Sequence, residues 1–353
     1  MIQASSNPPT RKSKPTLDVV AREAGVSKAT VSKVLNRRPN ISADTRALVE
    51  EVIERLGYVP STGPRLGSEL RQVNIVFDTL INVHSLQVLD AVVAASAETG
   101  IDVVVNVLNH RHRDDAAPLS SGWVKELAAK GSVGVIIVTS ELTPQQRRRF
   151  RQADLGVVVI DPVNPLDDDT VSVGSANFAG GVQATRHLLD LGHRRIAFAG
   201  GPPNSAAARE RLQAFRSTME TAGIEPDPRF VLQEDFRFES GVRMSTSLLG
   251  APDPPTAIFA GCDASALGAI EVARRRGLRV PEDLSIIGFD DTYAAAMSAP
   301  PLTTIRQPLT DIGRVALRTL LQLTRGERPD SHHIQLATRL IVRDSTSHPT
   351  AAH

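Results

Sequence analysis

The sequence predicts an α/β protein, in which a small three-helix head precedes two doubly wound parallel α/β subdomains. The chain has 353 residues, which at about 150 residues per domain gives two or three domains. From about residue 73, short Val- and Ile-rich runs alternate with amphipathic stretches, a pattern typical of parallel sheets covered by helices on both faces. Residues 1–74 instead show helical spacing and carry twelve Lys and Arg against seven Asp and Glu, whereas the other residues carry 28 against 32. A basic head on a mildly acidic body is typical of a phosphate-backbone binder joined to a separate module, although uneven surface charge alone gives the same balance.

Composition excludes several classes of protein. A single cysteine, Cys262, rules out an internal disulfide framework and a cysteine-based zinc finger. The longest apolar runs, such as residues 133–138, are far shorter than the roughly 20 residues that a membrane span needs. Because residues 1–16 contain no apolar segment of a secretory signal, we expect a soluble cytoplasmic protein. Residues 1–15 and 344–353 form polar tails for which we expect disorder.

The head shows the pattern of three short helices between residues 16 and 57. Thr16 caps the first helix, and Gly25 ends it because glycine accepts a positive φ angle. Ser27 caps the second helix, and the third runs from Ser42 to Gly57. In the second helix the inward positions are Val31, Val34 and Leu35, and the outward positions are Lys28, Ala29, Ser32 and Lys33. The predicted buried side of the third helix consists of Ala47, Leu48, Val52, Ile53 and Leu56. Two helices joined by a tight Gly-Val turn predict a helix-turn-helix, whose second helix can enter a DNA major groove.

Residues 16–60 closely resemble the DNA-binding headpiece of the lactose-repressor (LacI–GalR) family of bacterial transcription regulators. The match includes VSKATVSKVLN at 26–36 and TR at 45–46. The resemblance implies that the base edges are read by Lys28, Ala29 (through its methyl group) and Lys33. It also implies that DNA phosphates are contacted or oriented by Thr16, Ser27, Thr30, Ser32, Asn36 and Arg46. The alternative for each of these residues is ordinary helix capping or surface charge.

The linker, residues 61–72, departs from the family pattern with the sequence STGPRLGSELRQ. The resemblance implies a short hinge helix here, whose leucine opens a base step in the minor groove. Aligned without gaps, this sequence has Gly67 at the leucine position, and Leu66 stands one residue earlier. The leucine that opens the base step is therefore either Leu66, after a one-residue shift, or absent. Arg65 is a candidate phosphate contact.

The body, residues 73–343, contains two series of alternating strands and helices. Strands are predicted near residues 73–78, 101–107, 133–138 and 156–160, and then near 195–200, 256–260 and 284–289. Breaks at residues 161–165 and around 290–307 predict crossings between two subdomains. The first subdomain then comprises about 73–161 and 308–325, and the second about 163–290 and 326–343. A ligand is expected in the cleft between them, at the carboxyl ends of the strands.

The resemblance to the family extends through the body to about residue 343. It is carried by RHLLDLGHRRIAFAGGP (186–202), RERLQAF (209–215), CDASALGAI (262–270), VPEDLSIIGFDDT (280–292) and PPLTTIRQP (300–308). This part of the family is similar to periplasmic sugar-binding proteins. The resemblance implies effector contacts by Asp161, Arg211, Asp290 and Gln307, with Phe236 as an aromatic wall.

These residue types suit a polyol such as a sugar. Carboxylates accept hydrogen bonds from hydroxyl groups, a guanidinium donates to two oxygens, and an aromatic ring covers the apolar side of a pyranose. The alternatives are a turn-capping role for Asp290, a solvated position for Arg211 and an ordinary core position for Phe236. Cys262 stands where relatives usually carry Asn, and Ala176 precedes Asn177 where Asp-Asn is usual. We therefore expect the ligand or its pose to differ from those of the best-known members.

Three classes of function are compatible with this organisation. We favour a sequence-specific transcription regulator, a repressor, whose operator affinity is controlled by a small ligand. A sugar-binding or transport module without a DNA role would need a signal peptide and would have no use for the basic head. An α/β enzyme would need a phosphate-binding loop or a catalytic triad, and the sequence contains neither. The expected partners are double-stranded DNA with a pseudo-palindromic operator, a sugar effector and a second copy of the chain, with no cofactor, metal or membrane.

Overall fold

The computed structural model describes residues 16–35, 41–56, 58, 72–108 and 117–350. The chain divides into two compact units, Met1–Leu70 and Arg71–His353. The first unit contains the helices α1 (Leu17–Glu23), α2 (Lys28–Leu35) and α3 (Ala43–Leu56). Within the described ranges, no helix combines the length and the apolar character that crossing a membrane requires.

A small apolar core holds the three helices of the head together. Gly25, with a φ of +63°, turns the chain between α1 and α2, as the sequence predicts. Ser27 caps α2 by accepting the backbone N–H of Thr30 at 3.1 Å, and Ser42 caps α3 by accepting the N–H of Thr45 at 3.2 Å. The buried residues of this core are Val20, Ala21, Ala24, Val31, Val34, Val49, Val52 and Ile53.

The buried face of α3 differs in part from the prediction. Val52 and Ile53 are buried as predicted, but Leu48 is 46% exposed and Val49 is fully buried. Ala47 is exposed as well. The buried positions 49, 52 and 53, together with 56, follow the helical spacing of one face, which places residues 47 and 48 outside it. The position of a residue around the axis of α3, and not its apolar character, therefore decides whether its side chain is buried, and Leu48 lies on the exposed side.

The second unit contains two sheets, and each sheet with its helices forms a lobe. The strands of lobe 1 are β1 (Gln72–Phe77), β2 (Asp102–Val107), β3 (Gly134–Val138), β4 (Gly156–Ile160), β5 (Val171–Ser175) and β11 (His333–Leu336). All pairs in this sheet are parallel, and their order is β11-β5-β4-β3-β1-β2. The helices of lobe 1 are α4 (Val83–Ala97), α5 (Ser121–Ala129), α6 (Pro144–Gln152) and α12 (Leu309–Thr324).

Lobe 2 is built in the same way. Its strands are β6 (Ile196–Gly200), β7 (Val231–Gln233), β8 (Ala257–Ala260), β9 (Ser285–Asp290), β10 (Thr303–Arg306) and β12 (Arg339–Ile341). Their order is β12-β10-β9-β8-β6-β7, and only the β10–β12 pair is antiparallel among these described strands. The helices are α7 (Asn177–Asp190), α8 (Ala206–Thr221), α9 (Phe238–Leu248), α10 (Asp263–Arg275) and α11 (Tyr293–Met297). Separate apolar clusters on the two faces of each sheet confirm the predicted fold class.

The chain passes between the lobes three times. It crosses at residue 176 between β5 and α7, at 307–308 between β10 and α12, and at 337–338 between β11 and β12. The crossing predicted at 161–165 is wrong, because these residues connect β4 to β5, which pairs with β4 in the same sheet. Residues 171–175 and 333–336 therefore belong to lobe 1 and not to the second subdomain. Prolines mark the end of a strand, but they do not show whether the chain then changes sheet.

The segment after β12 packs against lobe 2, which corrects the expected disorder of residues 344–350. Ser345 is fully buried. Its hydroxyl donates to the Ile286 carbonyl at 2.6 Å and accepts the backbone N–H of Thr303 at 2.8 Å. The His193 ring nitrogen Nε2 lies 2.9 Å from the carbonyl oxygen of Ser347. The polar composition of this segment did not indicate these bonds to the main chain. The remaining residues predicted to form tails, 1–15 and 351–353, lie outside the described residues.

Replacing Ser345 with alanine should lower the free energy of unfolding by about 1–3 kcal/mol, because the buried N–H of Thr303 loses its acceptor. Urea unfolding followed by circular dichroism measures this change. Ser331→Ala is the control, because Ser331 is exposed and its replacement should change stability by no more than about 0.5 kcal/mol. Equal stabilities of the two variants would show that the hydrogen bonds of the Ser345 hydroxyl contribute nothing to the stability of the fold.

Candidate functional site

The second helix of the head exposes the residues predicted to read bases. Lys28, Ala29 and Lys33 are all exposed on α2. The ammonium group of Lys28 forms an ion pair with the carboxylate of Asp18. Both side chains are about 60% exposed, at 60% and 62%, so water screens the pair and little energy opposes its opening. The three side chains are accessible to a DNA groove, and their contacts with bases stay a prediction.

Thr16, Ser27, Thr30 and Arg46, which are predicted to contact phosphates, lie near the starts of α1, α2 and α3, whereas Ser32 lies in the middle of α2. Thr16 precedes α1, is exposed and makes no side-chain capping bond. Ser27 and Thr30 share a hydroxyl–hydroxyl hydrogen bond of 2.9 Å. Ser32 and Arg46 are half-buried. The remaining predicted DNA contacts lie outside the described residues: Asn36, Arg65 and Leu66.

Four of the five predicted ligand residues meet at the carboxyl ends of strands. Asp161 follows β4, Asp290 ends β9 and Gln307 follows β10, so all three lie where ligands of parallel sheets usually bind. Arg211 lies on α8, close enough to Asp161 and Asp290 for their charges to interact. Exposure is 4% for Arg211, 7% for Asp290 and 5% for Gln307. Asp161 comes from lobe 1, whereas Arg211 and Asp290 come from lobe 2.

Arg211 is a fixed, buried cation. Its Nε and Nη2 donate to Oδ1 of Asn177 at 2.9 and 2.7 Å, and its Nη1 donates to the carbonyl of Gly261 at 2.6 Å. Nη1 also lies 3.8 Å from Oδ1 of Asp290. The guanidinium carbon lies 3.7 Å from the centre of the Phe289 ring, which is a cation–π contact. This environment excludes the solvated position that the sequence left open for Arg211.

Gln307 joins the two lobes beside a crossing. Its Nε2 donates to Oδ1 of Asp290 at 2.5 Å, and its Oε1 accepts the hydroxyl of Ser175 at 2.7 Å. Ser175 is the last residue of β5 in lobe 1, whereas Asp290 belongs to lobe 2. Burial raises the pKa of Asp290, and the charge of Arg211 opposes this rise. A ligand that contacts Asp290 or Gln307 would therefore act on the connection between the lobes.

His84 faces Asp161, although the sequence analysis did not select it. Its Nε2 lies 3.5 Å from Oδ2 of Asp161, and the two side chains are 17% and 9% exposed. Burial disfavours the charged ring, but the hydrogen bond to Asp161 and the charge of Asp290 outweigh burial and raise the pKa of His84. His84 lies in the first turn of α4, the helix that follows β1. The start of such a helix lies at the same edge as the strand ends, and this rule could have identified His84.

Two phenylalanines flank Arg211. Phe236 is half-buried, and its ring centre lies 5.5 Å from the guanidinium carbon. Gly201 is required beside it, because a Cβ atom at that position would lie 2.1 Å from the Phe236 ring. Phe289 provides the closer aromatic face, and the sequence analysis missed it because it reads as an ordinary apolar strand residue. Phe236 is thus placed beside the cleft cation, and its contact with a ligand stays a prediction.

Cys262 and Ala176 bring no side-chain amide or carboxylate group to this region. The Sγ of Cys262 accepts the backbone N–H of Ser265 at 3.4 Å, at the start of α10. Burial, helped by the charge of Asp290, raises the pKa of the Cys262 thiol to about 12, so the thiol is neutral. Ala176 precedes α7 and provides no side-chain cap.

Asp263 is a buried carboxyl group that the sequence analysis did not select. Its Oδ2 accepts the backbone N–H and the hydroxyl of Thr292 at 2.7 and 3.0 Å. Its Oδ1 accepts the hydroxyl of Thr304 at 2.6 Å. Burial, followed by the charge of Asp290, raises the pKa of Asp263 to about 8. These bonds fix the segment that follows Asp290.

A helix-turn-helix head with an exposed basic helix, together with a two-lobed core whose polar residues meet at the lobe crossings, defines a ligand-responsive DNA-binding regulator. Residues 16–61 match the family described as bacterial regulatory proteins, lacI family. Residues 185–346 match the periplasmic binding protein-like domain.

Relatives support the same class along nearly the whole chain. Catabolite control protein A of Priestia megaterium is 32% identical over 340 residues, which cover 94% of this chain and 99% of that protein. The transcriptional repressor CytR of Escherichia coli K12 is 32% identical, with 94% and 96% covered. A solved CelR–cellobiose complex has a TM-score of 0.70 at 32% identity, with 94% and 99% covered. The Lac repressor dimer bound to operator and the anti-inducer ONPF has a TM-score of 0.71 at 30% identity, with 95% and 100% covered. The chain belongs to the LacI family of bacterial transcriptional regulators.

Proposed function

We propose that this chain is a sequence-specific DNA-binding repressor whose operator affinity is controlled by a sugar in the cleft between its lobes. The exposed basic face of α2, with Lys28, Ala29 and Lys33 in solvent, is the observation that supports this most. The CelR–cellobiose complex and the operator-bound Lac repressor dimer support a sugar and a DNA duplex as ligands. Since the relatives are regulators, we assign no catalytic role to the cleft residues.

Exposed large apolar side chains on both lobes support pairing of two copies. Lobe 1 exposes Leu86 and Val93 on α4 and Val105 on β2. Lobe 2 exposes Phe238, Tyr293 and Met297, of which Met297 is 79% exposed. Apolar side chains of this kind mark a protein interface where they form one surface. A two-fold dimer would place two heads on the two half-sites of a pseudo-palindrome.

The cleft residues support control by a ligand, because they come from both lobes. A sugar held by Asp161 of lobe 1 and by Arg211 and Asp290 of lobe 2 would bind one relative orientation of the lobes better than others. Such a ligand shifts the population of the dimer between states that bind DNA and states that do not.

The proposal can be tested by selecting preferred sites from random duplexes with the full-length chain. Gel retardation on the selected site is then repeated with a panel of mono- and disaccharides that includes cellobiose. A preferred site whose affinity changes with one sugar is the expected result. A chain that prefers no duplex over random DNA, with or without sugars, would overturn the proposal.

Lys33→Ala should weaken binding to the selected site by roughly 1–3 kcal/mol, because a good base contact has about this value. Binding to random duplex should fall much less, because phosphate contacts dominate it. The matched control is Lys125→Ala, since Lys125 is an exposed lysine of α5 in the second unit. Unchanged affinity of Lys33→Ala for the selected site would remove Lys33 from the base-reading set.

A further inference from the structure

An ion pair between Asp18 and Lys28 joins the first turns of α1 and α2 in the head. Asp18 lies in the first turn of α1, and Lys28 is the first residue of α2. The ammonium group of Lys28 contacts Oδ1 of Asp18. A carboxylate therefore lies directly beside one of the three side chains predicted to read bases. Because a duplex carries a phosphate on every nucleotide, this carboxylate weakens the general attraction of the head for DNA.

The two lysines of α2 differ in their surroundings. Lys33 is exposed and forms no ion pair within the described part of the chain, whereas Lys28 is paired with Asp18. The sequence of α2 contains no acidic residue, so the carboxylate comes from the neighbouring helix α1. Lys33 can bind whichever phosphate or base oxygen is nearest. Lys28 is restricted to positions that its ammonium group can occupy beside Asp18.

The ion pair becomes stronger when DNA covers it. In the head alone, water surrounds both side chains and screens the attraction between Lys28 and Asp18. A DNA groove displaces part of this water, and the attraction between two charges rises as the effective dielectric constant falls. If Lys28 then moved to a phosphate, the carboxylate of Asp18 would be left beside the duplex without its cation. Such a juxtaposition of like charges costs free energy and disfavours that arrangement.

Lys28 can bind a base and keep its contact with Asp18. An ammonium group has three N–H donors, and the contact with a single carboxylate oxygen uses one of them. Guanine presents two acceptors in the major groove, O6 and N7, which match the two donors that remain. The ion pair can therefore persist on guanine, whereas on a phosphate the carboxylate would face a second negative charge.

We propose that Asp18 determines DNA specificity by keeping Lys28 away from phosphates and directing it to guanine. The inference rests on the proposed function, because it concerns the same DNA-binding helix. Asp18 is a positioning residue, since it acts through Lys28 and needs no contact of its own with a base. If Asp18 served only the stability of α1, its replacement would leave the base preferences of the chain unchanged.

Site selection from random duplexes with the full-length chain and three variants tests this inference. Lys28→Ala identifies the base pair that Lys28 reads, and the parent chain should prefer guanine there. Asp18→Asn should lose the preference at that base pair and keep the others. Glu23→Gln is the matched control, because Glu23 lies on the same helix and has the same charge but pairs with Arg55 of α3. It should keep all preferences.

The salt dependence of binding to random duplex measures the release of Lys28. Asp18→Asn should bind random duplex about threefold more tightly at low salt, because removing a charge about 6 Å from a phosphate has about this effect in water. The slope of log affinity against log salt concentration should steepen by about 0.9, which corresponds to one additional phosphate contact. The slope should not change in Glu23→Gln, nor when Asp18→Asn is added to Lys28→Ala.

The conservative variant Asp18→Glu keeps a carboxylate and should retain the preference for guanine. Unchanged base preferences and an unchanged salt slope in Asp18→Asn would overturn the inference. Equal changes in Glu23→Gln would also overturn it, as would a steeper slope that Asp18→Asn produces in the absence of Lys28. The proposed function fails on a different result, the absence of any preferred site for the parent chain.

Discussion

Replacing Arg211 with alanine should abolish the response to the ligand and lower the free energy of unfolding of the body by about 3–5 kcal/mol. The substitution leaves Asp290 buried without its nearby cation, and it removes the donors to Asn177 and Gly261. Two unpaired acceptors and one uncompensated carboxylate then remain in a nearly dry site. The head should still bind DNA, because it has a separate apolar core.

Urea unfolding and gel retardation with ligand measure the two effects of this substitution. Arg216→Ala is the control, because Arg216 lies on the same helix but is exposed, and it should leave both measurements nearly unchanged. If the alanine variant does not fold, Arg211→Lys keeps a charge but cannot reproduce the two bonds to Asn177. That variant should fold and still lose the response. A response at the same ligand concentration in either variant would remove Arg211 from the site.

The body should become less stable as the pH rises from about 6.5 to 8, by about 1–2 kcal/mol. The pKa of Asp263 is about 8 in the folded chain and about 4 in an unfolded chain. Between these values the folded chain holds a proton that the unfolded chain has released, so a rise in pH favours unfolding. The stabilisation is complete below about pH 4 and is lost above about pH 8, with a slope of about 1.4 kcal/mol per pH unit between them. The raised pKa of Asp290 acts in the same direction.

Urea unfolding at several pH values, compared with Asp263→Asn, isolates the contribution of Asp263. The asparagine cannot titrate, so the slope above about pH 6.5 should be reduced by about 1.4 kcal/mol per pH unit. The raised pKa of His84 acts within this range in the same direction as Asp263, and the lowered pKa values of His187 and His193, due mainly to burial, act at its lower end and below. Both chains share these contributions, so the difference between the two slopes belongs to Asp263. Asp190→Asn, at an exposed position, should keep the slope of the parent chain. The same slope in Asp263→Asn would show that another group releases the proton.

The sequence predicted those features that depend on local pattern. Gly25 and Ser27 fix the turn and the cap of the head through their own backbone and side-chain chemistry, and the structure shows both. The alternation of apolar runs and helical stretches predicted the two parallel lobes. The resemblance to the family selected Arg211, Asp290 and Gln307, which the structure brings together.

Other features depend on contacts that no local pattern contains. His84 and Asp161 are far apart in the sequence, and only the topology of the sheet makes them neighbours. The strand β5 has small residues and follows a proline-containing loop, so its place in lobe 1 depends on pairing with β4. Ser345 is polar in a polar segment, and its burial follows from main-chain partners on β9 and β10.

The three passages of the chain between the lobes also determine when each lobe can fold during synthesis. Lobe 1 receives β11 and α12 from residues beyond 308, and α12 supplies Ile312, Leu317 and Leu320 to its core. Lobe 2 receives β12 from residues 339–341. A nascent chain that has left the ribosome only as far as residue 300 therefore cannot complete either half. Both lobes therefore stay incomplete, with apolar sheet surface exposed to solvent, until the last part of the chain has been translated.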